Sequence, residues 1–125
     1  MRIVIADDSP AILRQWIVLL ENDFEVIAAA RDGLTALEYI SRYLPDVAIL
    51  DLRMPSLNGL EITERLKASG SKTAVVICTI ETSEELIDSA LEAGALGVVF
   101  KYTMVRDLVP AVQSASKGER FISSI

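Results

Sequence analysis

The sequence predicts a doubly wound α/β fold, in which helices cover both faces of a parallel sheet. Short apolar runs alternate with longer amphipathic runs along the whole chain. The short runs are apolar at nearly every position, which is typical of strands that are buried on both faces. Strands that alternate with helices are joined by right-handed crossovers, so neighbouring strands are expected to lie parallel.

Five strands are predicted, at residues 3–6, 24–30, 47–50, 73–78 and 97–100. A helix is expected after each of them, which gives five strands and five helices in strict alternation. For five parallel strands with helices on both sides, the flavodoxin-like order 2-1-3-4-5 is the expected arrangement. Residues 1–125 are therefore predicted to form one domain.

The helices are predicted from apolar stripes and from residues that begin helices. Ser9 followed by Pro10 is typical of a helix start, because serine caps and proline suits the first turn. Capping boxes are predicted at Asn58 with Glu61 and at Thr82 with Glu85. The stripes that we expect to face the core are residues spaced by three or four: Ile12, Trp16 and Leu20; Leu37, Ile40 and Leu44; Leu86, Ile87, Ala90 and Leu91; and Val105, Leu108, Val109 and Val112.

Composition excludes several kinds of site. The chain has 125 residues, one cysteine and no histidine, so an internal disulfide, a Ser-His-Asp triad and most transition-metal sites are ruled out. The net charge of −6 makes this chain by itself a poor DNA-binding surface. No apolar run is long enough to span a membrane, and the N-terminus becomes acidic too early for a signal peptide, so a cytoplasmic protein is expected.

Polar side chains follow four of the five predicted strands. Asp7 and Asp8 follow the first strand, Asp51 the third, Thr79 the fourth and Lys101 the fifth. In open α/β sheets the functional crevice lies at the carboxyl ends of the strands, where the strand order reverses. We therefore expect these five side chains to line one pocket.

Each of these residues has a simpler explanation when it is considered alone. An acidic pair is common at a helix start, and single polar residues are common in turns. Together, however, three carboxylates need a hard cation such as Mg2+ to offset their repulsion. A hydroxyl and an ammonium beside that cation suit a phosphoryl group, and an aspartate can act as the nucleophile that accepts it.

These motifs resemble the receiver domains of bacterial two-component response regulators, in particular those of the LuxR/NarL type. The similarity covers essentially the whole chain. It rests on the acidic pair at residues 7–8 and on four further segments, at residues 51–61, 75–79, 93–101 and 111–123.

The resemblance implies that Asp51 accepts phosphate from a phosphohistidine on a sensor histidine kinase. It also implies that Mg2+ is bound by Asp8, Asp51 and the backbone carbonyl of Arg53, with Asp7 acting through a metal-bound water. Thr79 and Lys101 would hold the phosphoryl oxygens. Such receivers form homodimers on phosphorylation and bind DNA through a C-terminal helix-turn-helix domain, so this chain is interpreted as a stand-alone receiver or as the N-terminal part of a longer regulator.

Two positions depart from the usual receiver pattern. Val98 stands where an aromatic switch residue is common, and alternation places Phe100 on the same face of the strand. Tyr102 stands where a proline usually follows the lysine, so we expect a trans peptide bond before it. Arg53 and Glu81 each lie two residues beyond a site residue, and we hypothesise that they approach each other and shield the phosphoryl group from water.

Three other functions fit the sequence less well. A haloacid-dehalogenase-like phosphatase needs an aspartate two residues after its nucleophile, where this chain has Arg53. A flavodoxin relative needs a phosphate-binding loop after the first strand, where this chain has two aspartates. A receiver-like interaction module that works without phosphorylation remains an alternative, because of Val98 and Tyr102.

Overall fold

A computed structural model describes residues 1–124, in which strands and helices alternate along the chain. The strands are β1 (Arg2–Ala6), β2 (Glu25–Ala30), β3 (Val47–Asp51), β4 (Ala74–Thr79), β5 (Gly97–Phe100) and β6 (Phe121–Ile122). The helices are α1 (Pro10–Leu20), α2 (Gly33–Tyr43), α3 (Gly59–Ala68), α4 (Glu84–Ala93) and α5 (Met104–Ser116), with a single 3-10 turn at Lys101–Thr103.

The sheet is parallel throughout, with the order β2-β1-β3-β4-β5-β6. The predicted fold class and the order of the first five strands are confirmed, but the predicted number of strands was wrong. The sixth strand consists of Phe121 and Ile122, which pair with Gly97 and Val98. A strand of two residues, one half-buried and one exposed, has no apolar pattern that could be recognised in the sequence.

The core consists of two apolar layers, one on each face of the sheet. Alternate residues of the same strand enter opposite layers, as the pleat of a strand requires. In β1, for example, Val4 packs on the face that carries α2, α3 and α4, whereas Ile3 and Ile5 pack on the face that carries α1 and α5. Trp16 fills the second layer and donates a hydrogen bond from its indole nitrogen to the sulfur of Met104 at 3.3 Å.

Two of the three predicted helix starts follow the expected signals. Ser9 caps α1, and Asn58 and Glu61 form both halves of the predicted capping box of α3. The capping box at Thr82 was wrong, because α4 is capped one residue later, by Ser83. As a result Leu86, and not Glu85, donates the backbone N–H to the cap.

Two residues of the predicted apolar stripes face solvent. Leu44 is 73% exposed because α2 ends before it, and its backbone is left-handed. Val105 is 79% exposed because the buried face of α5 is centred on Met104, Leu108 and Ala111, one position away around the helix. Within residues 1–124 no helix is long and apolar enough to cross a membrane.

Candidate functional site

Three carboxylates meet at the carboxyl ends of β1 and β3. Ala6 and Leu50 are neighbours in the sheet, so Asp7 and Asp51, the residues that follow them, lie side by side. One carboxylate oxygen from each of Asp7, Asp8 and Asp51 lies within 4.8 Å of the other two. Asp7 and Asp51 are buried and Asp8 is exposed, so the cluster opens to solvent on one side.

Lys101 reaches into this cluster from the end of β5. Its ammonium Nζ lies 2.7 Å from Asp7 Oδ2 and 3.2 Å from Asp51 Oδ1. The strand-end argument predicted that the lysine would enter the pocket, but not that its shorter contact would be to Asp7. The peptide bond between Lys101 and Tyr102 is trans, as predicted.

Thr79 lies at the end of β4, between the strands that carry Asp51 and Lys101. Register places Asp51 beside Cys78, and Thr79 beside Phe100. The Thr79 hydroxyl is buried and accepts a hydrogen bond from the backbone N–H of Glu81 at 3.1 Å. Its own proton therefore remains available for a ligand oxygen in the pocket.

The charges of the site perturb one another. Burial raises the pKa of Asp51 to about 6, and the negative charge of Asp7 adds to this effect, while Lys101 partly opposes it. Burial alone would lower the pKa of Lys101, but its hydrogen bond to Asp7 and its attraction to Asp51 raise that pKa. The single ammonium thus offsets part of the repulsion between two buried carboxylates.

The carboxylate cluster has three acidic groups, and among residues 1–124 the ammonium of Lys101 is the only cation paired with it. In the part of the chain that the structure describes, the buried Asp7 Oδ2 has no hydrogen-bond partner beyond its ion pair with Lys101 at 2.7 Å. A buried carboxylate oxygen usually has its full set of hydrogen bonds. An oxygen-rich cluster of this kind suits a hard divalent cation with bound waters, so the residues fit Mg2+.

Arg53 and Glu81 form an ion pair at the mouth of the pocket. The predicted approach of these two side chains is therefore confirmed. Glu81 also donates its backbone N–H to Thr79, so one residue links the ion pair to the hydroxyl inside the site. The Arg53 side chain is mostly exposed, whereas that of Glu81 is partly buried.

The β3–α3 loop, which includes Arg53, is held against the start of α2. The carbonyl of Pro55 accepts backbone hydrogen bonds from Gly33 at 3.0 Å and from Leu57 at 2.9 Å. Ser56 between them has a φ of 69°, a left-handed backbone that is strained for serine. Its hydroxyl accepts a hydrogen bond from the backbone of Leu34 at 3.0 Å. This loop geometry gave no signal in the sequence.

The position three residues before Lys101 is filled by a buried valine. Val98 and Phe100 both point into the layer that faces α2, α3 and α4, as alternation predicted. Phe100 stacks on the exposed Tyr102, with ring centroids 5.9 Å apart. The large aromatic side chains in this region therefore belong to residues 100 and 102 and not to residue 98.

The sequence of this chain is similar to those of known proteins. A family model described as "Response regulator receiver domain" matches residues 3–113. The oxygen regulatory protein NreC of Staphylococcus aureus is 35% identical over 125 residues, and the match covers 98% of this chain. This chain spans 58% of the length of that relative.

Solved structures show the same fold. The signal receiver domain of NarL from Mycobacterium tuberculosis superimposes with a TM-score of 0.90 at 32% identity, covering 94% of this chain and 97% of that one. A DNA-binding response regulator of the LuxR family from Staphylococcus aureus gives a TM-score of 0.83 at 30% identity, covering 92% of this chain and 98% of that one.

Proposed function

This chain belongs to the response regulator receiver domain family, and we propose on that premise that Asp51 accepts a phosphoryl group from a phosphohistidine on a sensor histidine kinase. The observation that carries the proposal is the position of the Asp51 carboxylate, which is buried beside Asp7 and 3.2 Å from Lys101. A nucleophilic carboxylate next to a fixed ammonium is suited to attack on phosphorus.

In the transfer, a carboxylate oxygen of Asp51 forms a bond to phosphorus as the phosphorus–nitrogen bond of the donor breaks. Lys101 holds a phosphoryl oxygen, because its ammonium lies within reach of both buried carboxylates. Thr79 donates its hydroxyl proton to another phosphoryl oxygen. These contacts neutralise the charge of the transferred group and keep it in one orientation.

Mg2+ would be held by Asp8, Asp51 and the backbone carbonyl of Arg53, with Asp7 acting through a metal-bound water. When bound, the ion neutralises the phosphoryl oxygens and the carboxylate cluster. The donor set consists of oxygens only, which is the set that Mg2+ prefers over transition metals. The three carboxylates, two of which are contacted by the single ammonium of Lys101, support this assignment, because they leave negative charge for a divalent cation to offset.

We further propose that the chain acts in the cytoplasm as a single receiver domain that controls transcription. The Staphylococcus aureus regulator of similar fold is described as DNA-binding and of the LuxR family. With a net charge of −6, the receiver itself offers little attraction to DNA, so binding would fall to a C-terminal helix-turn-helix domain. Phosphorylation would favour a homodimer that positions two such domains.

The proposal is tested by incubating the protein with acetyl phosphate and Mg2+ and measuring intact mass. We expect the mass to increase by one phosphoryl group, and we expect no increase for Asp51→Asn or in the presence of EDTA. The control is Asp23→Asn. Asp23 is exposed and lies just before β2, at the amino ends of the strands, so this variant should be labelled normally.

A second candidate is a receiver-like module that acts without phosphorylation, and the valine at position 98 favours it. Its prediction is that neither acetyl phosphate nor beryllofluoride changes the mass or the amide spectrum of the wild-type protein. Normal labelling of Asp51 would eliminate this candidate as the main function.

A further inference from the structure

A second polar cluster is buried beyond the end of β5, outside the phosphoacceptor pocket. It consists of Thr103, Asp107 and Ser123, of which the last two are 5% and 6% exposed. Asp107 Oδ2 accepts hydrogen bonds from Ser123 Oγ at 2.7 Å and from Thr103 Oγ1 at 2.9 Å. The cluster joins three segments: the turn after β5, the first turns of α5 and the segment that contains β6.

This cluster holds the residue that immediately precedes Lys101. The backbone N–H of Phe100 donates to Ser123 Oγ at 3.2 Å, and the Phe100 carbonyl lies 3.2 Å from Thr103 Oγ1. The 3-10 turn that follows contains only three residues and has no side-chain cap. A turn of this length is weak by itself, so its geometry depends on these outside contacts.

The hydroxyl of Thr103 is not explained by helix capping. Thr103 occupies the residue before α5, but its side chain makes no capping hydrogen bond to that helix. Its single proton is shared instead between the Asp107 carboxylate at 2.9 Å and the Phe100 carbonyl at 3.2 Å, in a three-centre arrangement. Thr103 therefore stabilises the turn that carries Lys101 more directly than it stabilises the start of the helix.

Asp107 remains charged and fully bonded over the physiological pH range. Arg106 donates to both of its oxygens, at 2.8 and 3.0 Å, and the same guanidinium donates to the Ser124 carbonyl at 3.1 Å. Arg106 lowers the pKa of Asp107 to about 2, with Ser123 and Thr103 adding to the effect. The hydrogen bonds of the cluster therefore do not depend on a change in the charge of Asp107 near neutral pH.

We propose that Thr103, Asp107 and Ser123 are positioning residues for Lys101, which act by fixing the backbone of Phe100 and so direct the ammonium between Asp7 and Asp51. Lysine has a long flexible side chain with considerable rotamer entropy, so an accurate contact needs a fixed backbone at its base. The proposal rests on the phosphoryl-binding role given to Lys101 above.

The segment that contains β6 thereby becomes part of the phosphoryl site. Ser123 lies directly after β6, and its own backbone N–H donates to the Val98 carbonyl in β5 at 2.9 Å. If docking of this segment improves the aim of Lys101, then a ligand held by Lys101 must strengthen the docking in return, because coupling between two sites is reciprocal. Residues 121–124 would then respond to occupation of the pocket.

The test compares two affinities, that for Mg2+ alone and that for beryllofluoride at saturating Mg2+, measured by amide NMR and fluorine NMR. Thr103→Val and Ser123→Ala each remove one hydroxyl from the cluster. Lys101 is expected to contact the beryllofluoride but not the metal, so each variant should bind beryllofluoride about threefold to tenfold more weakly. The affinity for Mg2+ should stay within about twofold of wild type, because no metal ligand has changed.

Three control variants distinguish positioning from general destabilisation. Thr103→Ser keeps the hydroxyl and should restore wild-type affinity. Thr73→Val removes a comparable hydroxyl, which donates to the Pro45 carbonyl at 2.8 Å at the amino ends of the strands, and should leave beryllofluoride affinity unchanged. In a Lys101→Ala background, Thr103→Val should have no additional effect, since residues that act through one group are not additive.

Several outcomes would overturn the inference. These are equal weakening of Mg2+ and beryllofluoride binding, full additivity with Lys101→Ala, or unchanged affinity in both hydroxyl variants. If wild-type protein binds no beryllofluoride, the proposed function itself fails, so the two failures can be told apart.

Beryllofluoride should also slow amide exchange at Phe121 and Ser123 in wild type but not in Lys101→Ala. Equal exchange with and without the ligand would contradict the coupling to β6.

Discussion

Asp51 and Asp107 are both buried aspartates, but their surroundings shift their pKa values in opposite directions. Burial and the charge of Asp7 raise the pKa of Asp51 from 3.8 to about 6. The guanidinium of Arg106 and two hydroxyls lower the pKa of Asp107 from 3.8 to about 2. The surroundings of Asp51 therefore disfavour its charged form, whereas the surroundings of Asp107 stabilise its charged form.

Because the two pKa shifts have opposite signs, Asp51 and Asp107 make the free energy of unfolding depend on pH in opposite directions. Between pH 3.8 and 6 the folded chain keeps a proton on Asp51 that the unfolded chain has lost, so Asp51 makes the free energy of unfolding fall as pH rises through this range. Asp107 has a depressed pKa, so its contribution is present above pH 3.8 and is lost as pH falls through about 2.

We therefore expect Asp51→Asn to stabilise the metal-free protein at pH 7, by about 1–3 kcal/mol, and to stabilise it less at pH 5. Asp107→Asn should lower the free energy of unfolding at pH 7 by about 1–3 kcal/mol, because it weakens several charge-assisted hydrogen bonds. Urea unfolding in EDTA at the two pH values measures both effects. A loss of stability in Asp51→Asn at pH 7 would contradict this account of the site.

The ion pair between Arg53 and Glu81 is expected to act on the lifetime of the aspartyl-phosphate. Removing the arginine with Arg53→Asn opens the mouth of the pocket to water, so hydrolysis should accelerate, by about twofold to tenfold. The measurement is the decay of labelled protein after the phosphodonor is removed. Arg42→Asn breaks a distant exposed pair with Glu38 and is the matched control. An unchanged decay rate in Arg53→Asn would eliminate the shielding hypothesis.

At the scale of elements, the sequence was informative where a pattern repeats and uninformative where a contact depends on a distant segment. Five strands could be predicted because each is a mostly apolar run, and the topology then brought Asp7, Asp51 and Lys101 together at the carboxyl ends of the strands. The short β6 and the cluster around Asp107 could not be predicted, because both depend on the return of residues 121–123 to β5.

The contact between α2 and the β3–α3 loop likewise could not be predicted from the sequence, although it requires the glycine at position 33. A Cβ atom at Gly33 would lie 2.0 Å from the carbonyl oxygen of Leu57. The glycine thus allows the helix to approach the loop that carries Arg53.

We expect Gly33→Ala to force the helix and the loop apart and to lower the free energy of unfolding by about 1–3 kcal/mol, as overpacked sites generally do. Gly70→Ala is the comparison, because a Cβ there would meet nothing within 4 Å, although its backbone is left-handed with a φ of 71°. Gly70→Ala should cost only about 1 kcal/mol, from backbone strain. Urea unfolding measures both, and an equal loss in the two variants would mean that the close contact is unimportant.

For the whole molecule, the two apolar layers and the acidic pocket have opposite effects on stability. The layers bury β1, β3, β4 and β5, whereas the pocket at the carboxyl ends of these strands gathers three carboxylates, two of which contact Lys101. Any cation that binds only the folded pocket must therefore stabilise the entire domain, because the three carboxylates are brought together only by folding.

Mg2+ should accordingly raise the thermal midpoint of unfolding in a concentration-dependent way, and EDTA should reverse the change. At about one hundred times its dissociation constant, the gain is expected to be about 2.7 kcal/mol in free energy of unfolding. At pH 5 the same Mg2+ concentration should give a smaller gain, because Asp51, with its pKa near 6, is then largely protonated and must lose its proton to bind the ion. Asp8→Asn should greatly reduce the shift at both pH values, whereas Asp23→Asn, whose carboxylate is exposed far from the pocket, should leave it intact. A thermal shift that persisted in Asp8→Asn would show that Mg2+ stabilises the protein from some other position.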